Sequence, residues 1–216
     1  MTSVGPSQEQ ARSIPTTMSE IVIGVDLGGT NIKAGAVDSE GMVRARLSVP
    51  TPEAQTGPDA LARAIAEAAR GAMEQARASA SSVRGMGIGS PGTLDLETGV
   101  VGFSPNLPQL NDFPLRRKLE QILSLNVVLE NDANAAALAE DWVGAGRDAG
   151  SLVLITLGTG IGGGIVVDGR IWHGTGFVAG ELLAGMVQSV KDLVPHVDAV
   201  IIADQQVSKF HAIMTF

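Results

Sequence analysis

The sequence has no cysteine. That excludes a disulfide framework and any zinc site built on thiolates. Basic residues are scarce: 15 Lys and Arg stand against 23 Asp and Glu, a net charge of −8 with a pI near 4.8. An acidic chain with no basic stripe is a poor holder of nucleic acid or of an anionic membrane. Long apolar runs are missing too. No window reaches the roughly 18 uninterrupted apolar residues of a membrane span, and residues 1–20 lack the apolar core of a signal peptide. A soluble, cytoplasmic protein is expected. Glycine, by contrast, is abundant, with 27 in 216 residues, and it is used where backbone turns sharply or comes close to a ligand. With 44% hydrophobic and 18% charged residues, the chain can bury a core of one large or two small domains.

Residues 1–19 are rich in Ser, Thr, Gln and Pro without periodicity and read as a disordered leader. Apolar runs at 21–26, 32–38 and 42–49, joined by Gly28-Gly29 and by Ser39-Glu40-Gly41, predict an antiparallel meander. Thr56-Gly57-Pro58-Asp59 predicts a helix start with a hydroxyl cap, and Leu61, Ile65, Ala68, Ala69, Ala72, Met73 and Ala76 form its apolar face. A strand at 83–89, a Pro- and Asn-rich loop, a helix at 114–123, a strand at 127–130 and an Ala-rich helix at 132–143 follow. Strand, Gly-rich turn and strand then recur at 152–167, with a turn at Asp168-Gly169 into 170–172. The expected fold is α/β. Residues 20–146 make one mixed-sheet lobe and 147–185 the opening hairpins of a second, similar lobe. Residues 186–216, with an amphipathic stretch at 186–194 and a short apolar strand at 197–203, read as an atypical tail.

Two glycine-rich turns carry the chemistry. In Asp26-Leu27-Gly28-Gly29-Thr30-Asn31-Ile32-Lys33, bare glycine backbone can turn successive N–H groups toward an anion, with the Thr30 hydroxyl and the Lys33 cation beside them. Asp26, at a strand end, is suited to hold Mg²⁺ through water. A plain hairpin would also use Gly-Gly. Leu157-Gly158-Thr159-Gly160-Ile161-Gly162-Gly163-Gly164 favours the phosphate reading, because one hairpin does not need five glycines in seven residues. Two such nests can grip a nucleotide's phosphates from both sides. No Gly-Lys-Ser/Thr follows either nest, which excludes a Walker loop, and no helix starts directly after Gly29.

Glu130-Asn131-Asp132-Ala133-Asn134 joins a strand to a helix. A carboxylate there can take the proton of an attacking hydroxyl while Asn131 orients the substrate; Asp132 equally reads as an N-cap. Ser90-Pro91-Gly92 and Ser104-Pro105-Asn106 are loops at strand ends, and Asn106 can read a sugar hydroxyl or close an Asx-turn. Glu181 is a second carboxylate. His173, His196 and His211 have no metal partner at useful spacing and receive no role.

Taken in order, the two glycine-rich turns, Gly87-Ile88-Gly89-Ser90-Pro91-Gly92 and Glu130-Asn131-Asp132-Ala133-Asn134-Ala135-Ala136 resemble the ROK family of repressors, open reading frames and sugar kinases, above all its glucokinase-like members. The likeness runs from about Ile21 to Glu181. It implies an actin-like, ribonuclease-H-type fold with two lobes closing on a sugar and ATP. Asp26 would serve Mg²⁺; Gly28, Gly29, Thr30 and Lys33 one phosphate site; and Gly158, Thr159, Gly160 and Gly162 the other. Asn106, Asn131 and Glu181 would bind the sugar, and Asp132 would be the general base on its 6-hydroxyl.

The sequence also departs from that family. Gly180-Glu181 runs into Leu182-Leu183-Ala184, where the family's kinases carry Leu-Gly-His with its zinc-ligating His, and the Cys-rich zinc motif is missing, so no zinc site is expected. Residues 187–216 match nothing expected in the family. A truncated or altered product, or a fusion scar, is the simplest account. The leading reading is an ATP-dependent hexose kinase, glucose first, with ATP and Mg²⁺. The alternative is an inactive remnant that at most binds sugar. A homodimer is compatible with either. A sugar-responsive repressor is set aside, since the 20 leading residues cannot hold a DNA-binding domain.

Overall fold

The computed structural model describes residues 20–157, 161–174 and 199–204. The first sheet begins with β1 (Ile21–Leu27), β2 (Asn31–Asp38) and β3 (Val43–Pro50), the meander that the apolar runs predict. It continues, after α1 (Pro58–Gln75), with β4 (Val83–Ser90). A short hairpin, β5 (Thr93–Asp95) and β6 (Val100–Phe103), lies within the stretch expected to be a loop. Then come α2 (Leu115–Leu123), β7 (Val127–Asn131) and α3 (Asp132–Trp142). The strand order is β3-β2-β1-β4-β7, with β1, β4 and β7 parallel and β2 and β3 antiparallel to their neighbours.

Burial follows position in this sheet. β1 is covered on both faces, so its sequence is an almost unbroken apolar run. β3 is an edge strand and alternates between exposed residues and residues that are half-buried or, at Ala45, buried. The face predicted for α1 is the one buried, with Leu61, Ile65, Ala68, Ala69 and Ala72 almost fully enclosed. Its expected hydroxyl cap is not formed. The Thr56 hydroxyl donates instead to the carbonyl of Glu53, and Gly57, at φ 82°, takes the N-cap position that few other residues tolerate.

The second sheet contains β8 (Ser151–Leu157), β9 (Ile161–Val167), β10 (Arg170–Ile171) and β11 (Ala199–Asp204), in the order β10-β9-β8-β11. β8, β9 and β10 are an antiparallel meander, and β11 runs parallel to β8. That repeats the relation of β4 to β1. Residues 199–204 lie in the stretch read as a tail, and they add a fourth strand to this sheet. The two sheets share a topology, and the fold is mixed α/β of the actin-like kind.

α3 connects the sheets. It leaves the end of β7 and packs on β8 and β9, where Ala135, Ala136, Ala137 and Ala139 meet Leu152, Leu154 and Val166. The approach is close because β9 presents glycine. A Cβ on Gly164 would lie 2.6 Å from the Ala137 Cβ and 2.8 Å from the Ala133 carbonyl oxygen. At the other end of α3, a Cβ on Gly41 in the β2–β3 turn would lie 3.4 Å from the Trp142 ring.

That turn is organised by Asp38, buried at 2% exposure. Its carboxylate accepts from the backbone N–H of Glu40 at 3.0 Å and of Met42 at 2.9 Å, and from Arg44 Nε at 2.6 Å. Burial alone would push this carboxyl up, but the Met42 N–H, the Arg44 guanidinium and the Glu40 N–H outweigh it and hold it below its ordinary value.

Two outcomes are expected from these contacts. Gly164→Ala drives a methyl group into the α3 backbone and should cost about 1–3 kcal/mol in a denaturant melt, whereas Ala at exposed Gly169's neighbour Arg170 should be nearly neutral. Asp38→Asn should cost about 1–3 kcal/mol. The folded Asp38 binds its proton less tightly than the unfolded chain does. Its contribution is therefore complete above the unfolded value of about 3.9 and is lost as pH falls through the lower folded value. Acid melts of the wild type and of Asp38→Asn should converge below that range; parallel curves would remove Asp38 as the source.

Candidate functional site

The carboxyl ends of the parallel strands β1, β4 and β7 lie side by side. Asp26 pairs in register with Gly89, and Gly89 with Glu130; one residue further on, Ser90 pairs with Asn131. Open α/β sheets expose their ligand-binding loops at this edge. The register thus brings the Asp26 turn, the Ser90-Pro91-Gly92 loop and the Glu130-Asn131-Asp132 junction together from three separate stretches of sequence.

The first glycine turn is tight. The Gly28 N–H donates to the Asn31 carbonyl at 3.1 Å, so this amide closes the hairpin itself. Gly29 and Thr30 form the exposed tip. Thr51, at the end of β3, ties down two carbonyls of the turn: its N–H donates to Thr30 at 2.9 Å and its hydroxyl to Gly28 at 2.7 Å. Directing those carbonyls toward β3 leaves the tip to its amides, the polarity an anion nest requires. Lys33 is opposite Asp26 in the ladder, with Nζ 3.8 Å from a carboxylate that is itself 6% exposed.

The tip of this turn touches the asparagine loop. A Cβ on Gly29 would lie 3.3 Å from the Asn106 carbonyl oxygen and 3.5 Å from the Asn106 Cβ. Asn106 is exposed between two buried anchors, Ser104 and Leu107. The Ser104 N–H donates to Asn111 Oδ1 at 2.9 Å, and the Leu107 N–H donates to the Ser104 carbonyl. Gly92, at φ 100°, passes so close to this loop that a Cβ would clash with the Phe103 carbonyl oxygen. Two strand-end loops are therefore locked against each other, with Asn106 held at the glycine turn.

At the β7–α3 junction the structure separates two readings that the sequence leaves joined. Asn131 is the N-cap: its Oδ1 accepts from the N–H groups of Ala133 at 2.9 Å and Asn134 at 3.2 Å. Asp132 is the first residue of the helix, half-buried, and does not cap it. Its carboxylate sits in the first turn, where the helix dipole favours negative charge.

Glu130 is 4% exposed and fully engaged. One carboxylate oxygen accepts from the Asn131 N–H at 2.8 Å and from Asn134 Nδ2 at 2.9 Å; the other lies 2.8 Å from His173 Nε2. His173 follows β10, and the neighbouring Trp172 N–H continues the ladder to the Ile165 carbonyl at 2.9 Å. Sequence reasoning assigns His173 no role and treats Glu130 only as part of a motif. A carboxylate ending an apolar strand does signal a buried acid in need of a partner. Its partner lies 43 residues away and has no local signature.

Gly162 lies inside β9, paired with Thr156, and its missing side chain serves packing, since a Cβ there would lie 3.1 Å from the Ala133 Cβ. This contact sets the start of β9 beside the first turn of α3. Gly158, Thr159, Gly160 and Glu181 lie outside the described residues. Among the described residues no group of three or more His, Cys, Asp or Glu gathers as a metal site, and no helix is long and apolar enough to cross a membrane.

The chain is similar to known proteins. The glucokinase of Halalkalibacterium halodurans is 42% identical over 160 residues, 74% of this chain and 48% of that protein. The crystal structure of a ROK hexokinase from Thermus thermophilus superposes with a TM-score of 0.68 at 44% identity, covering 75% of this chain and 52% of that one. A ROK family glucokinase from Streptomyces griseus, in complex with glucose and AMPPNP, gives 0.67 at 42% identity, over 74% and 49% of the two chains. The chain spans about half the length of the curated relatives it matches. The ROK family model matches residues 22–190, more than three quarters of the chain, and the chain belongs to the ROK family.

Proposed function

We propose that this chain carries the sugar-binding and catalytic-base half of an ATP-dependent hexose kinase, glucose being the leading substrate and its 6-hydroxyl the acceptor. The observation that carries the reading is the division of labour at the head of α3. Asn131 caps the helix, so the carboxylate of Asp132 is not spent on that task. Its likeness to relatives described as glucokinases, one of them seen with glucose and AMPPNP, supports the same reading.

The sugar would lie between the Asn106 loop and the β7–α3 junction. Asn131 has its Oδ1 committed to the cap and would meet a sugar hydroxyl as a donor, through Nδ2. Asn106 would approach from the glycine turn, and Glu181 is proposed as a further sugar contact. Asp132 would accept the proton of the 6-hydroxyl as its oxygen attacks the γ-phosphorus of ATP, and ADP would leave. The amides at Gly29 and Thr30, with Lys33, are proposed for one side of the phosphates. Gly158, Thr159 and Gly160, with Gly162, are proposed for the other.

Magnesium fits this site through a single protein ligand. Asp26 is a buried carboxylate at a strand end, and among the described residues no group of three or more His, Cys, Asp or Glu gathers around it. Mg²⁺ commonly keeps several waters and uses one or two carboxylates with substrate phosphates. When bound it offsets charge on the phosphates. Lys33 holds Asp26 oriented from the opposite strand. A soluble, cytoplasmic protein, with a homodimer as a compatible assembly, is the setting proposed.

A second reading, sugar binding without turnover, draws on the match to about half of each relative's length. Phosphoryl transfer depends on two lobes that exclude water and align the phosphate. A coupled assay with glucose and Mg-ATP distinguishes the readings. Turnover in the ordinary kinase range of about 1–100 s⁻¹ is expected for the kinase. Asp132→Asn should lower it by about 10²–10⁴ while glucose affinity and melting temperature stay close to wild type, because the Asn131 cap is untouched. Glucose binding by calorimetry with no turnover would support the binding-only reading. An Asp132→Asn chain at full rate would remove the base assignment.

A further inference from the structure

Glu130 and His173 join the two sheets beside the β7–α3 junction. Glu130 ends β7 in the first sheet, and His173 follows β10 in the second. The carboxylate is 5% exposed and the ring 27%, so the contact is largely withdrawn from water. Both oxygens are used. The one facing the chain receives the Asn131 N–H and Asn134 Nδ2, and the other receives the ring. The carboxylate therefore cannot rotate toward His173, or away from it, without disturbing the helix start that carries Asn131 and Asp132.

We propose that His173 is a positioning residue: by clasping Glu130 it latches the second sheet to the head of α3 and sets the placement of Asn131 and Asp132. A buried carboxylate that loses one partner seeks another or draws in water, and the nearest groups available are the amides of the cap. Loss of the ring would thus loosen a helix terminus two residues away in the chain from the acid it affects. The alanine–glycine packing of α3 on β9 resists sliding of the sheets, but it is apolar and carries no orientation for a polar side chain. The clasp supplies that orientation.

The placement of the helix head follows from the contacts alone; only the effect on glucose affinity rests on the sugar-site reading. The test uses the full chain with His173→Ala and His173→Gln, since a glutamine amide can still donate to Glu130. Hydrogen exchange should speed up about tenfold at the amides of Asn131, Ala133 and Asn134 in His173→Ala, as expected for loss of one charge-assisted hydrogen bond, and return toward wild type in His173→Gln. Amides in α1 should be unchanged. Glucose dissociation constants should rise by about tenfold in His173→Ala and recover in His173→Gln. Unchanged exchange at the helix head overturns the proposal, and so does a rise spread equally over α1, which would make His173 a general stability residue. If wild type shows no glucose binding while the local exchange pattern appears, the sugar-site reading fails and the latch stands.

Discussion

An alanine helix against a glycine strand can approach more closely than any pair with larger side chains, and the rest of the molecule depends on that approach. Ala133 and Ala137 face Gly162 and Gly164 at distances that leave no room for a Cβ on the strand. Because α3 begins at the end of β7, seating it on β9 fixes where the second sheet stands relative to the first. Dispersion between small groups is weak per contact but needs close packing to be gained at all, so the interface tolerates little enlargement. The turn at Gly41 against Trp142 secures the far end of the same helix.

With α3 seated, the polar chemistry sorts itself along a single edge. Parallel pairing of β1, β4 and β7 puts Asp26, Gly89 and Glu130 in one row, and the loops that follow them share a rim. The helix needs an acceptor for its first amides, and Asn131 provides it. Glu130 is buried, Asn131 caps the helix, and Asp132 opens its first turn half-buried. Three consecutive polar residues thus have three different surroundings, set by burial and by the geometry of a helix start. At the opposite strand, Thr51 holds the carbonyls of the glycine turn inward, which is what gives its tip the polarity of amides.

The repeated topology gives these local arrangements a common logic. Each sheet is a meander of three strands with a fourth strand parallel to the first, and each meander turns on glycine. The strand Ala199–Asp204 belongs to this pattern by its pairing, although the surrounding sequence carries none of the motifs that identify the earlier segments.

Periodicity and glycine placement by themselves determined the meander, the buried face of α1, the strands at 83–89 and 127–130 and the ordered motifs of the ROK family, because these are local patterns of apolar spacing and backbone freedom. The β5–β6 hairpin was hidden because its strands, of three and four residues, are too short to show a period of their own. Whether Asp132 capped its helix was undecidable from composition, since Asn131 and Asp132 are almost equally good caps and one residue of offset chooses between them. The packing of Gly162 against Ala133 was equally out of reach, a contact no spacing rule contains. The Glu130–His173 pair is the clearest case. A buried carboxylate must find a donor, which is a matter of elementary electrostatics, but which donor it finds was decided only when α3 brought two sheets, 43 residues apart in the chain, to within a hydrogen bond of each other.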